Sequence, residues 1–368
     1  MVGNSIGKNF IITSFGESHG DSIGVIVDGC PAGLSLTESE IDAELGKRIP
    51  SQPELVSGRI EKDSVKISSG VFNDITTGAP ICLFVENKEI KSSDYASIKD
   101  LPRPGHSDYP ARIRYGGFND YRGGGRFSGR GTVSIIMAGT IAKKLLALFD
   151  IEVLAFTKSI GKIELEKAMS FEELRKFRYK TAVRCPDLAC AKLMEKSIIN
   201  ARSKGNSLGG IVECVSLNVP VGLGDPIFDS LDADLSKMLF AIPAVKGVDF
   251  GLGFEASMIS CSDNNDEYSL SNGEVITTSN NAGGILGGLS SGMPIILSVA
   301  FKPTPSIGKE QHTVNLKTMK DTKIKISGRH DPCVVPKAVP VVESAVSIVL
   351  TDHLIRAGVL PKILKENK

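Results

Sequence analysis

The sequence predicts an α/β (α+β) fold with mainly antiparallel or mixed sheets. Helical and strand-like hydrophobic patterns alternate along the 368 residues, which indicates both kinds of element throughout the chain. The strand candidates are short and flanked by polar residues, whereas a doubly wound parallel sheet carries long apolar strands. No low-complexity linker or short repeat divides the chain, so we predict a single domain over residues 1–368.

Two signals define the helices of the N-terminal half. The tetrapeptide Thr-Glu-Ser-Glu at 37–40 is a capping box, and the helix that it opens carries Ile41, Leu45 and Arg48. Apolar residues at helical spacing predict a long helix over 132–149. Short apolar or β-branched runs predict strands over 23–28, which Gly29 ends, and over 65–68 and 79–85.

Turn residues separate the elements of the C-terminal half. Gly205 ends a predicted helix over 188–204, and Gly358 ends the last helix, predicted over 341–356. Pro243 follows a short helix candidate over 231–241. Apolar runs predict strands over the remaining segments, 210–219 and 294–301.

The composition is that of an ordinary folded chain, with 41% hydrophobic and 23% charged residues. Lys and Arg total 43 against 42 Asp and Glu, and a net charge of +1 argues against a nucleic-acid coat protein. The N-terminus lacks the pattern of a secretion signal, and apolar runs such as 295–301 are too short to cross a membrane. We therefore expect neither nucleic acid nor a membrane as a partner.

The seven cysteines form no recognisable framework. Their number is odd, no pair has C-x-x-C spacing, and no His/Cys cluster surrounds Cys185 and Cys190. We predict no zinc or other metal site. Unpaired thiols are typical of a reducing compartment, so we expect a cytoplasmic protein.

Two segments place a histidine in a glycine-containing turn. The motif Gly-Glu-Ser-His-Gly at 16–20 contains His19, and a Pro-Gly turn precedes His106, with Asp108 in reach as an orienting partner. A histidine in such a turn can approach a ligand and transfer protons near neutral pH. A turn without a chemical role is the alternative for each segment.

A run rich in glycine and arginine, 121–132, leads into the long predicted helix. Arg122, Arg126 and Arg130 stand next to backbone N–H groups at the helix start, a combination that suits phosphate. The run lacks a closing Gly-Lys-Ser/Thr and follows no clear strand, which argues against the usual ATP and NAD loops. A flexible glycine linker is the alternative.

Two further segments carry weaker signals. The glycine pairs over 281–292 would let backbone approach a flat ligand, and a glycine-rich bulge is the alternative. Arg329, His330 and Asp331 are adjacent, which suits an anion site or a capped turn. Together the five segments indicate an enzyme with a small, strongly anionic substrate.

In their order and spacing, these five segments resemble chorismate synthase. The motifs are Gly-Glu-Ser-His-Gly at 16–20, Arg-Pro-Gly-His at 103–106, the glycine-arginine loop at 122–130, Ala-Gly-Gly-Ile-Leu-Gly-Gly at 282–288 and Gly-Arg-His-Asp-Pro-Cys at 328–333. The resemblance covers nearly the whole chain. It implies a β-α-β sandwich of helices and antiparallel sheets, assembled as a homotetramer.

The resemblance also implies a reaction. Members of this family are carbon–oxygen lyases acting on phosphate, at the last common step of the shikimate pathway. 5-Enolpyruvylshikimate 3-phosphate loses phosphate and a ring proton by anti 1,4-elimination and becomes chorismate. The family requires reduced FMN, although the reaction involves no net oxidation. Either this chain would reduce the FMN with NADPH, or an external flavin reductase would do so.

Residue roles follow by the same resemblance. His19 would sit by the leaving phosphate with Ser18 in support, His106 by the flavin N1/O2 edge, and Asp331 would help to accept the ring proton. The implied substrate-binding arginines are Arg48, Arg103, Arg130 and Arg329. The implied flavin-pocket residues are Arg126, Phe127, Ser128, Pro243, Ala244, Gly287, Lys302, Pro303, Thr304, Pro305, Ser306 and Arg329.

A few positions depart from the family pattern. Phe127 stands where a serine is common, Gly131 replaces a glutamate, Lys337 replaces an arginine, and Pro-Glu at 53–54 occupies the place of a frequent second arginine. None of these changes removes an implied proton carrier. Two alternatives to the implied activity are a non-catalytic flavin- or anion-binding protein and a phosphate lyase that uses no flavin.

Overall fold

Two sheets with helices between them form the core of the protein, described here from a computed structural model of residues 3–49, 52, 55, 63–87, 99–326 and 331–364. The strands, in chain order, are β1 (Ser5–Ile6), β2 (Ile11–Gly16), β3 (Ser22–Asp28), β4 (Val65–Ser69), β5 (Val71–Phe72), β6 (Ile75–Thr76), β7 (Ile81–Glu86), β8 (Glu152–Ile160), β9 (Ile163–Glu164), β10 (Gly210–Leu217), β11 (Val245–Phe250), β12 (Tyr268–Ser271), β13 (Glu274–Thr277), β14 (Ile285–Leu286), β15 (Leu289–Ser290), β16 (Ile295–Phe301), β17 (Glu310–Asn315) and β18 (Lys320–Lys325).

The described residues also form eight α-helices and three short 3₁₀ segments. The helices are α1 (Glu38–Gly46), α2 (Asp108–Arg114), α3 (Thr132–Ala147), α4 (Phe171–Phe177), α5 (Leu188–Ser203), α6 (Leu231–Phe240), α7 (Cys261–Asn264) and α8 (Val335–Arg356). The 3₁₀ segments are Arg122–Phe127, Gly129–Gly131 and Gly253–Met258.

Each of the two large sheets has five strands. The first has the order β1-β2-β3-β7-β4 and the second the order β11-β16-β10-β8-β9. Every neighbouring pair in both sheets is antiparallel. The antiparallel character expected from the short, polar-flanked strands is therefore confirmed. Four two-stranded ribbons, β5-β6, β12-β13, β14-β15 and β17-β18, complete the strand pairing.

Helices α3 and α8 lie between the sheets and pack against each other. Helix α3 contacts β2, β3 and β7 of the first sheet, and α8 contacts β8 and β10 of the second. The two helices approach closely at Gly139, where an added Cβ would lie 2.2 Å from the Cβ of Ser344. Only glycine fits there, since ordinary carbon contacts need about 3.5 Å or more. The sandwich that the family resemblance implied is confirmed.

The capping box predicted at the start of α1 is present. The Thr37 hydroxyl accepts a hydrogen bond from the Glu40 N–H, and the Glu40 carboxylate accepts one from the Thr37 N–H. These reciprocal bonds satisfy N–H groups that have no partner within the helix. Helix α1 ends at Gly46, two residues before Arg48.

The last helix is longer than its sequence predicts. It begins at Val335 rather than at residue 341, because Pro336 sits in the first turn, where its missing N–H is not needed. Pro340 lies inside the helix, where proline normally ends one. Among the described residues, α8 is the one helix that is long and apolar enough to cross a membrane. The sequence analysis did not predict this, because polar residues interrupt its apolar runs. The most apolar 18-residue stretch of α8 is 94% buried inside the protein, as in a core helix.

Candidate functional site

A cavity of about 610 Å³ opens where the glycine-arginine segment, the end of α1 and the start of α8 meet. Its charge balance differs sharply from that of the whole chain. Six lining residues are cations and two are carboxylates, whereas the chain carries a net charge of only +1. The cations are Arg48, Arg103, Arg126, Arg130, Lys302 and Lys337, and the carboxylates are Asp63 and Asp331. The cavity is therefore suited to a multiply charged anion.

Most of the predicted site residues line this cavity. They are Ser18, Arg48, Arg103, His106, Arg126, Phe127, Ser128, Arg130, Pro243, Ala244, Lys302, Thr304, Pro305, Ser306 and Asp331. Gly287 and Pro303 are not among the lining residues. Gly287 lies in the tight turn between β14 and β15. Arg329 lies outside the described residues.

His106 is held by a carboxylate and a guanidinium. Its Nδ1 lies 2.6 Å from Asp108 Oδ1, and Arg103 donates from Nε and Nη2 to the same carboxylate at 2.7 and 2.8 Å. Because an ionised carboxylate only accepts hydrogen bonds, Nδ1 carries the hydrogen. This leaves Nε2, which lies 3.2 Å from Arg103 Nη2, as the ring nitrogen whose lone pair can accept a proton. The prediction that Asp108 lies within reach of His106 is confirmed.

Asp108 is ionised despite its partial burial. Burial raises the pKa of its carboxyl, but hydrogen bonds from Arg103 and His106 outweigh burial, and the pKa is lowered well below its usual range. Arg103 is itself only 7% exposed and also donates to the Ser306 hydroxyl at 3.2 Å. Asp108 thus holds the side chains of Arg103 and His106 next to each other in the cavity wall.

His19 lies directly behind the cavity wall. It is 2% exposed, and an added Cβ at Gly123 would lie 2.1 Å from its Nδ1 and Cε1. Gly123 lines the cavity and has a left-handed φ of +57°, so glycine is required there on both counts. At Gly124, an added Cβ would lie 3.3 Å from His106 Nε2. The glycine segment therefore brings the cavity wall against both predicted histidines.

The three arginines of this segment have separate partners, which corrects the expectation that they form one anion site. Arg122 makes a bidentate pair with Asp120, through two contacts of 2.8 Å, and does not line the cavity. Arg126 lines it and donates to Asn4 Oδ1 and Ser14 Oγ at 2.7 and 2.9 Å. The segment is folded into tight turns, with positive φ at all three glycines over 123–125, rather than forming a linker.

Arg130 and Arg48 converge on Asp63, which the sequence analysis did not identify. Arg130 Nη1 lies 2.7 Å from Asp63 Oδ1, and Arg48 Nη1 lies 3.9 Å from Oδ2. Asp63 is followed by the strand β4 and stands in no recognisable motif, so no sequence signal could have found it. Its carboxylate holds two guanidinium groups side by side in the cavity.

Asp331 and Lys337 form the corresponding pair at the start of α8. The Lys337 ammonium donates to both carboxylate oxygens at 2.7 and 2.9 Å. Lys337 is one of the departures from the family pattern, and it keeps a cation at this place, although an ammonium lacks the fork geometry of a guanidinium. The Asp331 carboxylate thus lines the cavity next to the positive charge of Lys337.

The rest of the lining suits a flat cofactor that carries a phosphate. Apolar side chains form one part of the wall, namely those of Phe240, Ile242, Pro243, Val334, Ala338 and Val341. Thr304 Oγ1 is buried in the lining without a hydrogen-bond partner among the described residues, and such an atom needs a partner from a ligand or water. The volume also lies within the ~300–1,000 Å³ of ordinary ligand pockets. The lining is therefore compatible with FMN.

Comparisons with known proteins give one consistent result. The family model described as chorismate synthase matches residues 10–355. The chain is 52% identical over 365 residues to the chorismate synthase of Dehalococcoides mccartyi, covering 99% of this chain and 100% of that protein. It is 51% identical over 357 residues to that of Korarchaeum cryptofilum, with 97% and 99% covered.

A solved structure agrees with the sequence relatives. A crystal structure of chorismate synthase superimposes with a TM-score of 0.75 at 31% identity, over 96% of this chain and 93% of the other. The match spans both sheets and the helices between them. The chain belongs to the chorismate synthase family.

Proposed function

We propose that this protein is a lyase that converts 5-enolpyruvylshikimate 3-phosphate into chorismate by anti 1,4-elimination of phosphate and a ring proton. The observation that carries the proposal is the cavity itself. It combines six cations with Ser18, His106 and Asp331 on its lining and His19 immediately behind it. A site that only bound anions would not need so many proton carriers beside its cations.

The cations account for substrate binding. The substrate carries a phosphate and two carboxylates, and moving these groups out of water is unfavourable unless fixed cations meet them. We assign this task to Arg48, Arg103 and Arg130. All three are already held by carboxylates, so little side-chain entropy is lost on binding.

On one side of the cavity, the Asp63 carboxylate positions the guanidinium groups of Arg130 and Arg48. Its contact with Arg130 is a charge-assisted hydrogen bond, and its distance to Arg48 is that of a weaker pair. Arg48 also donates from Nη2 to the Gly129 carbonyl at 3.5 Å. Both arginines are therefore in place on the cavity wall before an anion enters.

Three groups are assigned to proton transfer. His19 stabilises the leaving phosphate, with the hydroxyl of Ser18 in the same turn. His106 is kept in one tautomer by Asp108 and exchanges protons at Nε2. Asp331 accepts the ring proton, and its pairing with Lys337 keeps its carboxylate fixed in place.

Reduced FMN is the proposed cofactor. Arg126, Ser128, Lys302 and residues 304–306 would hold its phosphate and ring edge, and Phe127 and Pro243 would contact its apolar faces. When bound, the cofactor supplies electron density that lets phosphate leave from an otherwise unreactive carbon, without net oxidation. Phe127 supports this arrangement, since its ring is 38% exposed and lies on the cavity wall.

We also propose that residues 1–368 act as one domain within a homotetramer in the cytoplasm. Large apolar side chains outside the cavity lining are strongly exposed, among them Phe228 at 90% and Phe254 at 85%, and such surfaces are typical of subunit contacts. All seven cysteines are free, in keeping with a reducing compartment. Light scattering of the purified protein tests the assembly, with a monomeric mass as the contrary result.

The test of the activity is an anaerobic assay with purified protein, substrate and chemically reduced FMN. We expect phosphate and chorismate to appear in equal amounts. Release of phosphate without flavin would favour a flavin-independent lyase. Tight flavin binding with no phosphate release above the no-flavin control would favour a non-catalytic binding protein.

The source of reducing equivalents is a separate question with its own assay. Either this chain reduces FMN with NADPH, or an external flavin reductase does so. An aerobic assay with NADPH as the sole reductant distinguishes the two, because only the first arrangement gives turnover without an added reductase.

A further inference from the structure

We propose that Arg184, which lies outside the cavity, is a positioning residue that holds the cavity arginine Arg48 in place. Its guanidinium donates from Nη2 to the backbone carbonyls of Lys47 and Ile49, at 2.9 and 3.2 Å. These are the two residues that flank Arg48. This inference rests on the proposed function, in which Arg48 binds an anionic group of the substrate.

The contact made by Arg184 lies at the end of α1. The N–H groups of Arg48 and Ile49 continue the helix as tight turns, donating to Leu45 and Gly46, which leaves the last carbonyls without helical partners. A guanidinium is well suited to bind two such carbonyls, since its Nη2 carries two N–H donors and its charge favours the negative end of a helix dipole. Arg184 thereby fixes the path of the chain on both sides of Arg48.

Arg184 is itself rigidly mounted on the second sheet. Its carbonyl accepts a hydrogen bond from the Thr157 N–H of β8 at 3.0 Å, and the Thr157 hydroxyl donates to the Val183 carbonyl at 2.6 Å. Its guanidinium lies 5.0 Å from the centre of the Tyr179 ring. A continuous path of contacts therefore runs from a core strand, through Arg184, to the backbone of Arg48.

The backbone of Arg184 points to a specific need for its side chain. Its φ is +62°, a left-handed conformation that is unfavourable for a residue other than glycine. Glycine would relieve this strain, yet the position carries a long side chain that is only 6% exposed. Strain of this kind persists where the surrounding structure requires the residue, and the two carbonyls are its closest polar partners among the described residues.

Arg178 provides a matched control. It is also an arginine at the Tyr179 ring, 5.1 Å from its centre, and it pairs with the buried Glu343 at 3.1 Å. Arg178 also donates to the carbonyls of Leu174 and Arg175, and among the described residues it makes no hydrogen bond to residues 47–49. Replacing Arg178 perturbs the same buried region without touching the backbone of Arg48.

The experiment is a double-mutant cycle read by calorimetric binding of 5-enolpyruvylshikimate 3-phosphate to the full chain without flavin. We expect Arg184→Met to raise the Kd roughly tenfold, as expected for a displaced binding group. In an Arg48→Ala background, the same change should alter the Kd less than twofold. Arg178→Met should leave the Kd within twofold of the wild type, even if it lowers the melting temperature more than Arg184→Met does.

Arg184→Lys serves if Arg184→Met does not fold, because it keeps the charge while its shorter side chain places the ammonium farther from the two carbonyls. It should raise the Kd about threefold, again only when Arg48 is present. Equal weakening with and without Arg48, or unchanged binding in folded Arg184 variants, overturns this inference alone. A wild-type protein that does not bind the substrate overturns the proposed function and this inference with it.

Discussion

Replacing Gly123 by alanine should displace the His19 ring and lower the turnover rate while the protein still folds. The added methyl group would lie 2.1 Å from two atoms of the His19 ring, and ordinary van der Waals contact begins at 3.4 Å. The ring must therefore retreat by about 1.3 Å. Because His19 is buried, it has little free space to do so, and a shift of about 1 Å in a catalytic group costs on the order of 10²-fold in rate.

Two neighbouring glycines provide graded controls. Gly117 has a left-handed φ of +82° and nothing within 4 Å of an added Cβ, so Gly117→Ala carries the backbone strain alone. Gly124 has a φ of +84° and its added Cβ would meet His106 at 3.3 Å, which requires a movement of only about 0.1 Å. All three substitutions should cost about 1 kcal/mol in backbone strain. They differ in what the methyl group contacts.

The assay is anaerobic phosphate release with reduced FMN, together with urea unfolding of each variant. We expect normal turnover for Gly117→Ala, a loss within about tenfold for Gly124→Ala, and a loss of about 10²-fold or more for Gly123→Ala. Turnover of folded Gly123→Ala within threefold of Gly117→Ala would refute the assigned role of His19.

Three further outcomes are expected. His106→Ala and His19→Ala should each lower turnover by ~10²-fold or more in steady-state assays, and near-normal rates in both would contradict their roles. Asp108→Asn leaves the Arg103 guanidinium buried without its carboxylate and should lower the free energy of unfolding by about 3 kcal/mol, where an unchanged urea midpoint would be the contrary result. Burial raises the pKa of Glu343, but Lys143, Arg178 and Lys47 outweigh it and lower that pKa from 4.5 to about 2. The resulting stabilisation, about 3 kcal/mol, is present above pH 4.5 and is lost as the pH falls toward 2, so Glu343→Gln should flatten this part of a pH series of urea unfolding curves.

The sequence predicted most helices and strands where local signals were strong. The capping box at Thr37 and the apolar spacing of α3 gave start positions that agree with the structure. The start of α8 was missed because prolines normally interrupt helices, whereas burial between two sheets accommodates Pro340. Strand β8 was not predicted, although it is buried along most of its length and pairs with β10 across a bulge.

The candidate site was predictable where chemistry is concentrated in short motifs. The turns carrying His19 and His106 and the glycine-arginine segment meet around one cavity, as the shared chemistry of these motifs suggested. Residues that act by long-range contact carry no such signal. Asp63 contacts Arg130 across 67 positions of the chain, and Arg184 contacts Lys47 across 137, so only the folded structure brings these pairs together.

The most direct measurement is a crystal structure of the protein with oxidised FMN and 5-enolpyruvylshikimate 3-phosphate bound. We expect both molecules in the cavity between α1 and α8, with the substrate's anionic groups within hydrogen-bond distance of Arg48, Arg103 or Arg130. Substrate bound elsewhere, or in the cavity but out of reach of all three arginines and both histidines, would contradict the proposal that this cavity is the active site.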